Sequence, residues 1–268
     1  MSGNTYAVML DADEGFDHRA AAAALAETFG KTPFDHMKPL KDSPGIFARD
    51  LPQHLADHLA SALEQRGIRA FALAEEDMAI LPPPVPVSQG VVEDEGFYFK
   101  APQGNLMAPW GEILLMDCAR VRYQIIRRSP PSTPWQQGLR NLTRDAFAGP
   151  IRFPLRGEAS ASGPPAPQAS PAWMEVFDVV CYDPWVHFRI DMDKFHYARS
   201  GVPVHSTQHL SFTALVVVFR ARAQNASLGP GIAHLLDGDP RTRSRADGLA
   251  AYENGLLWRL QLLWRRQG

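Results

Sequence analysis

The sequence has few cysteines, no long hydrophobic run and no basic segment leading into an apolar amino terminus. Its two cysteines, Cys118 and Cys181, exclude a disulfide framework and a cysteine-based zinc site, and they are typical of a reducing compartment. No stretch of eighteen consecutive apolar residues occurs, so we expect neither a membrane span nor a signal peptide. The sequence therefore predicts a cytoplasmic protein.

The sequence also lacks the motifs that mark the most readily recognised enzymes. It contains no Gly-x-Ser-x-Gly elbow, no Walker loop, no Gly-x-Gly-x-x-Gly fingerprint and no set of kinase motifs. We therefore predict no cofactor. Among its 268 residues, 45% are hydrophobic and 21% are charged, which is typical of a globular chain that can bury a core.

The net charge of −2 is the sum of two oppositely charged regions. Residues 1–100 carry 16 acidic and 8 basic side chains, whereas residues 101–268 carry 13 acidic and 19 basic ones. Eight arginines and one acid lie in residues 119–156, with aromatic residues nearby, and such a segment can bind RNA or another anionic partner. The alternatives are a solvated surface or contact between the two regions. The candidate binding residues are Arg127, Arg128, Arg140 and Arg144.

Residues 1–81 have the pattern of a small α/β sandwich. An apolar run at residues 6–10 predicts a strand, and Asp17 can cap the alanine-rich helix that Gly30 ends. Further strands are predicted at 45–48 and 68–73, with a helix that begins near Pro52 between them. The order is β-α-(short helix or turn)-β-α-β, which resembles the ribosomal-stalk C-terminal domain and ferredoxin-like modules. A resemblance in element order implies a fold and transfers no function.

Proline marks the next predicted boundary, because residues 82–87 read Pro-Pro-Pro-Val-Pro-Val and predict a stiff linker. Short strands and regular turns over residues 88–127 predict the first part of an antiparallel half-barrel. Residues 128–172 form a Pro/Ser/Ala-rich insertion, and residues 173–268 supply the second β part and C-terminal helices. This layout resembles a PH-like barrel split by an insertion, so the predicted fold class is α+β.

Two helices are predicted in the last block. Residues 212–223 have apolar side chains at helical spacing, with Ser211 as the cap, although the β-branched valines there also permit a strand. Residues 252–266 carry an apolar stripe and end on two arginines, which favours a helix.

The densest group of chemically active side chains lies in residues 187–197. In a strand, His187, Arg189, Asp191 and Asp193 point to one face. Two carboxylates, a base and a cation in one row can build an acid/base or metal site, whereas the alternative is the solvent face of a half-buried strand. The candidate catalytic residues are His187, Asp191, Asp193 and His196.

His54 and His58 are the candidate metal ligands. They lie four residues apart on a predicted helix and share a face, as zinc-binding histidines do. The glutamate of the His-Glu-x-x-His motif is absent, so the alternative is a pair of solvent-facing histidines.

The modular layout and the missing motifs favour a non-catalytic interaction or scaffolding protein of bacterial type, whose partner is another protein. One alternative is a metal-dependent hydrolase that uses residues 187–196. The other is RNA or anionic-partner binding through residues 119–156. The sequence leaves the identity of the partner and the oligomeric state open.

Overall fold

The structure is a computed structural model that describes residues 4–12, 15–42, 44–101, 104–127, 168–237 and 245–267. Contacts divide the chain into two compact units, Met1–Tyr123 with Trp173–Gly268, and Gln124–Ala172. The first unit carries the features described below. It combines helices with three sheets in which most strand pairs are antiparallel, in agreement with the predicted α+β class.

The amino-terminal layer contains three strands and three helices in the predicted order. They are β1 (Tyr6–Leu10), α1 (His18–Phe29), α2 (Pro33–Asp42), β2 (Ile46–Leu51), α3 (Gln53–Glu64) and β3 (Ala70–Ala74). The carboxylate of Asp17 accepts the backbone N–H groups of Arg19 and Ala20, and Gly30 ends α1 in a left-handed conformation. Both helix boundaries predicted from these residues are confirmed.

The three strands form an antiparallel sheet in the order β2-β1-β3. β1 is the central strand and its last four residues are buried. Small and aliphatic side chains of α1 and α3 pack with this sheet in one hydrophobic core. Both β2 and β3 are edge strands.

The remaining elements build two further sheets and the helices around them. The strands are β4 (Val85–Val87), β5 (Gly90–Val92), β6 (Gly96–Ala101), β7 (Gly104–Pro109), β8 (Ile113–Arg127), β9 (Gln168–Cys181), β10 (Val186–Asp191), β11 (Ser227–Leu228) and β12 (Arg245–Ala246). The helices are α4 (Gln208–Arg222), α5 (Pro230–Leu236) and α6 (Leu249–Gln267). The larger sheet has the order β11-β8-β9-β10-β4 with β12 beside β8, and the smaller one has the order β5-β6-β7.

The proline-rich segment 82–87 contributes a strand to the larger sheet. Val85–Val87 pairs in parallel with β10, and Pro86 lies opposite Arg189. Proline, which has no N–H, is tolerated here because β4 is the edge of this sheet. The domain boundary predicted at this segment stays a prediction.

Helix α4 begins earlier than its predicted start. The side chain of Thr207 accepts the N–H of Leu210, so Thr207 is the cap in place of Ser211. The Ser211 hydroxyl instead donates to the carbonyl oxygen of Thr207 within the first turn. The aliphatic run that also permitted a strand is therefore helical.

Helix α6 lies in two hydrophobic cores at once. Trp258 and Leu262 belong to the core of the amino-terminal layer, whereas Leu256 and Leu260 pack against the larger sheet. The indole Nε1 of Trp258 donates to the carbonyl oxygen of Leu10 at 2.8 Å. The amino-terminal layer and the larger sheet therefore share one helix as a common support.

No helix in the described residues is both long enough and apolar enough to cross a bilayer.

Candidate functional site

A cluster of buried charges lies between the larger sheet and α6. Asp178 of β9 and His187 of β10 are both fully buried, and Arg189 of β10 is directly opposite Asp178 in the ladder. Burial of ionised groups is costly unless each one is paired and hydrogen-bonded. The contacts of each member therefore decide what this cluster does.

Asp178 lies against two neighbouring side chains. Arg189 Nε donates to both carboxylate oxygens, at 2.9 and 3.1 Å, and His187 Nε2 lies within hydrogen-bonding distance of Oδ1. His187 Nδ1 lies 3.0 Å from the carbonyl oxygen of Pro82, which can only accept, so Nδ1 is the donor. Asp178 and His187 together connect β9, β10 and the proline-rich segment.

Arg189 extends the cluster to α6. Its Nη2 lies 3.0 Å from Glu253 Oε1, and its guanidinium carbon lies 5.9 Å from the centre of the Tyr252 ring. Burial opposes the charge of Arg189, but Asp178 and Glu253 more than compensate, so its pKa is raised. Arg189 is therefore a permanent cation held between two carboxylates on different elements.

Asp117 of β8 is a second buried carboxylate beneath α6. Its Oδ1 accepts the N–H groups of Cys118 and Gly231, each at 2.9 Å, and the Tyr252 hydroxyl donates to its backbone carbonyl oxygen. Burial raises the pKa of Asp117 to about 6, against the opposing attraction of Arg259. The hydrogen bond from Gly231 to Asp117 holds the Gly229–Gly231 segment against β8. Both positions need glycine, because a Cβ atom at either one would overlap Asp117 or Cys118 of this strand.

These contacts give the buried cluster an architectural role. Each charged group contacts a neighbour on another element, and of the row that sequence analysis placed either in solvent or in an active site, Arg189 contacts α6. Asp178 was not among the predicted residues. The sequence does contain a sign that Asp178 is buried, because it is the single charged residue in the apolar run 176–181 of β9.

The structure places the four candidate catalytic residues in different surroundings. His187 is buried on Asp178, while Asp191 pairs with Lys194 at 2.6 Å in the turn that follows β10. Asp193 and His196 lie beyond the end of the strand and are exposed. At the ordinary rise of a strand, His187 and Asp191 are about 13 Å apart, too far to bind one small group together.

The candidate metal ligands His54 and His58 lie on α3, and both are exposed. Within the described parts of the chain, no group of three or more His, Cys, Asp or Glu side chains has a metal-binding arrangement. Of the candidate anion-binding residues, Arg128, Arg140 and Arg144 lie outside the described residues, and Arg127 is the last residue of β8.

The two cysteines are buried on β8 and β9 of the larger sheet. Burial raises the pKa of the Cys118 thiol well above its usual value and that of Cys181 to about 12. Because a thiolate is the reactive form, both thiols are protected by their surroundings.

An exposed apolar surface is built from aromatic residues at the end of α6 and at the β9–β10 turn. Trp185 and Trp264 have ring centroids 5.7 Å apart, and their exposed fractions are 39% and 38%. Tyr182, at the other end of the same turn, is 61% exposed. We call Tyr182, Trp185 and Trp264 the Trp185 surface.

Comparison with protein-family models, with curated proteins and with solved structures gives no match.

Proposed function

We propose that this chain is a non-catalytic interaction protein that binds another protein through the Trp185 surface. The observation that carries the proposal is the contact between two half-exposed tryptophans, Trp185 and Trp264, with the more exposed Tyr182 in the same turn as Trp185. Tryptophan and tyrosine are enriched among the residues that dominate binding energy at protein interfaces. A group of such side chains left in water supports a partner that covers them.

The supporting structure of this surface favours binding without large rearrangement. Trp264 follows Gln261, whose side chain accepts the N–H of Ala79 at 2.6 Å, and Trp185 precedes the first residue of β10. The buried Asp178 cluster fixes β10 and α6 to each other. Aromatic side chains on rigid elements lose little conformational entropy on binding.

Three finer assignments belong to this proposal. The element order of residues 6–74 supports the ribosomal-stalk-like or ferredoxin-like module, and the strands before α6 support a PH-like second part. The two free, buried thiols support a reducing compartment such as the cytoplasm.

The test is affinity capture from an extract of the native host with immobilised full-length protein, followed by quantitative mass spectrometry. The variants are Trp264→Arg and Tyr182→Arg. The control is Val217→Arg, which changes a similarly exposed apolar residue on α4. Thermal unfolding of each variant confirms that it is folded.

We expect a defined set of proteins to bind the wild type and the control, and to fall roughly tenfold or more with either aromatic variant. Nuclease treatment of the extract leaves this set unchanged if the partner is a protein. Equal capture by all four chains, or capture that disappears with nuclease, contradicts the proposal.

A further inference from the structure

Strand β3 is an unpaired edge of the amino-terminal sheet within the described residues. Natural edge strands are usually protected by charged residues, proline, bulges or a covering element. On the opposite edge, β2 contains Arg49 and Asp50 and pairs irregularly with β1. β3 reads Ala-Phe-Ala-Leu-Ala, every residue is half-buried, and no strand of the described residues pairs with its outer side.

The hydrogen bonds beside β3 define which backbone groups point outward. Asp11 N–H donates to the Arg69 carbonyl, and Glu75 N–H donates to the Thr5 carbonyl. Hydrogen-bonded pairs alternate with non-hydrogen-bonded pairs along an antiparallel ladder, so Phe71 and Leu73 also direct their N–H and C=O groups to β1. The outward groups therefore belong to the three alanines Ala70, Ala72 and Ala74.

From this geometry we infer that β3 pairs with β3 of a second copy of the chain across a two-fold axis at Ala72. Antiparallel pairing with Ala72 opposite Ala72 of the second copy places Ala70 opposite Ala74 at both ends. All three outward N–H groups and all three outward C=O groups of each strand are then hydrogen-bonded. The two three-stranded sheets become one six-stranded sheet.

The side chains and charges of β3 fit the same register. Phe71, whose ring has the Arg265 guanidinium 4.0 Å from its centre, lies opposite Leu73 of the second copy in a non-hydrogen-bonded pair, where side chains approach most closely, so the ring edge and Leu73 contact each other. Exposed Arg69 precedes the strand, and the acidic turn Glu75–Asp77 follows it. An antiparallel pair therefore brings the basic end of one strand to the acidic end of the other, whereas a parallel pair opposes like charges.

Amide hydrogen exchange by NMR, on the full-length protein at several concentrations, tests this pairing residue by residue. We expect the amides of Ala70, Ala72 and Ala74 to exchange fast in dilute samples and to become protected as the concentration rises to about 100 µM. The amides of Phe71 and Leu73, which bind β1, are internal controls that stay protected throughout. Fast exchange of the three alanines at every concentration overturns the inference.

Sedimentation of proline variants tests whether the dimer is lost when an outward N–H of β3 is removed. Ala72→Pro removes a central outward N–H, and Ala70→Pro removes one at the first residue of the strand, where proline is best tolerated. Phe34→Lys, which changes a highly exposed side chain elsewhere in the same layer, is the control. We expect the wild type and Phe34→Lys to sediment with twice the mass of the chain and both folded proline variants to sediment as monomers.

A monomeric wild type contradicts the dimer. Dimers that persist in both proline variants place the contact elsewhere and also contradict it. Protection of the alanine amides that depends on an added protein, and not on the concentration of this chain, assigns the strand edge to a different partner.

Discussion

Asp178 holds two side chains, His187 and Arg189, in a site where none of the three is appreciably exposed to water. Removing one member of such a group leaves the others buried without their counter-charge, which costs more than the group contributes when intact. The cluster therefore acts mainly by fixing how β9, β10 and α6 fit together.

We expect Asp178→Asn to lower the free energy of unfolding by about 3–5 kcal/mol, because it leaves the buried Arg189 with Glu253 as its one carboxylate neighbour. Asp191→Asn is the matched control, since Asp191 pairs with a largely exposed lysine and its loss costs at most about 1 kcal/mol. Urea unfolding of the two variants measures both values. Equal losses would show that burial of the pair has no special role.

Asp117 makes stability depend on pH. Its ordinary pKa is about 3.9, and burial raises it to about 6 in the native state, so unfolding releases a proton between these values. The free energy of unfolding therefore decreases as pH rises from about 4 to about 6, by roughly 3 kcal/mol from this group.

The measurement is urea unfolding of the wild type and Asp117→Asn across this pH range. The variant keeps an oxygen that can accept the N–H groups of Cys118 and Gly231 but has no proton to release. We expect the wild type to lose stability relative to the variant as pH rises. A constant difference between the two proteins contradicts the assignment.

At the scale of elements, α6 contributes side chains to the hydrophobic cores of both the amino-terminal layer and the larger sheet. Gly45 lies directly against the indole ring of Trp258, and a Cβ atom built at Gly45 would be 2.0 Å from that ring. This close approach brings the turn before β2 into contact with α6.

We expect Gly45→Ala to destabilise the protein more than Gly67→Ala. Both glycines have positive φ, +82° and +75°, so each substitution costs about 1–2 kcal/mol in backbone strain. Only Gly45→Ala also collides with Trp258, which adds about 1–3 kcal/mol, whereas nothing lies within 4 Å of the Cβ position at Gly67. Equilibrium unfolding compares them, and equal losses would mean that Trp258 moves aside freely.

The elements that sequence analysis predicted best are those with local signals. The Asp17 cap and the Gly30 stop depend on neighbouring residues, so the sequence pattern gave both ends of α1. β4 was missed because its strand state depends on pairing with β10, about a hundred residues away. For the same reason, His187 and Arg189 were assigned to solvent or to a site, since no local pattern shows that Asp178 of β9 and Glu253 of α6 lie against them.

At the scale of the molecule, the shared helix predicts cooperative unfolding. Trp258 and Leu262 lie in the core of the amino-terminal layer, while Leu256 and Leu260 lie on the larger sheet, so neither layer can lose α6 without exposing apolar surface.

We expect amides in the two layers to open with the same free energy. Native-state hydrogen exchange at Val8 of β1 and Val179 of β9, both fully buried, measures this. Trp258→Ala should separate the two values because it removes the indole contact to Leu10. Different opening free energies in the wild type would show that the layers unfold independently.

Ion pairs in the folded protein join the acidic region of the sequence to the basic region. Arg265 pairs with Asp11 at 3.1 Å, and Arg222 pairs with Asp94 at 3.2 Å, each joining a basic side chain of the second region to an acidic one of the first. Both pairs are well exposed, so they add little stability. The charge pattern thus accords with contact between the regions, one of the alternatives that the sequence left open.

Binding through the Trp185 surface is the central claim, and site-specific photo-crosslinking in the native host tests it most directly. A photoreactive phenylalanine analogue replaces Tyr182 in one strain and Phe34, an exposed ring far from this surface in sequence, in a control strain. We predict a discrete adduct between residue 182 and a second protein, with no such adduct from residue 34. No adduct at residue 182, or the same adducts from both positions, would contradict the account.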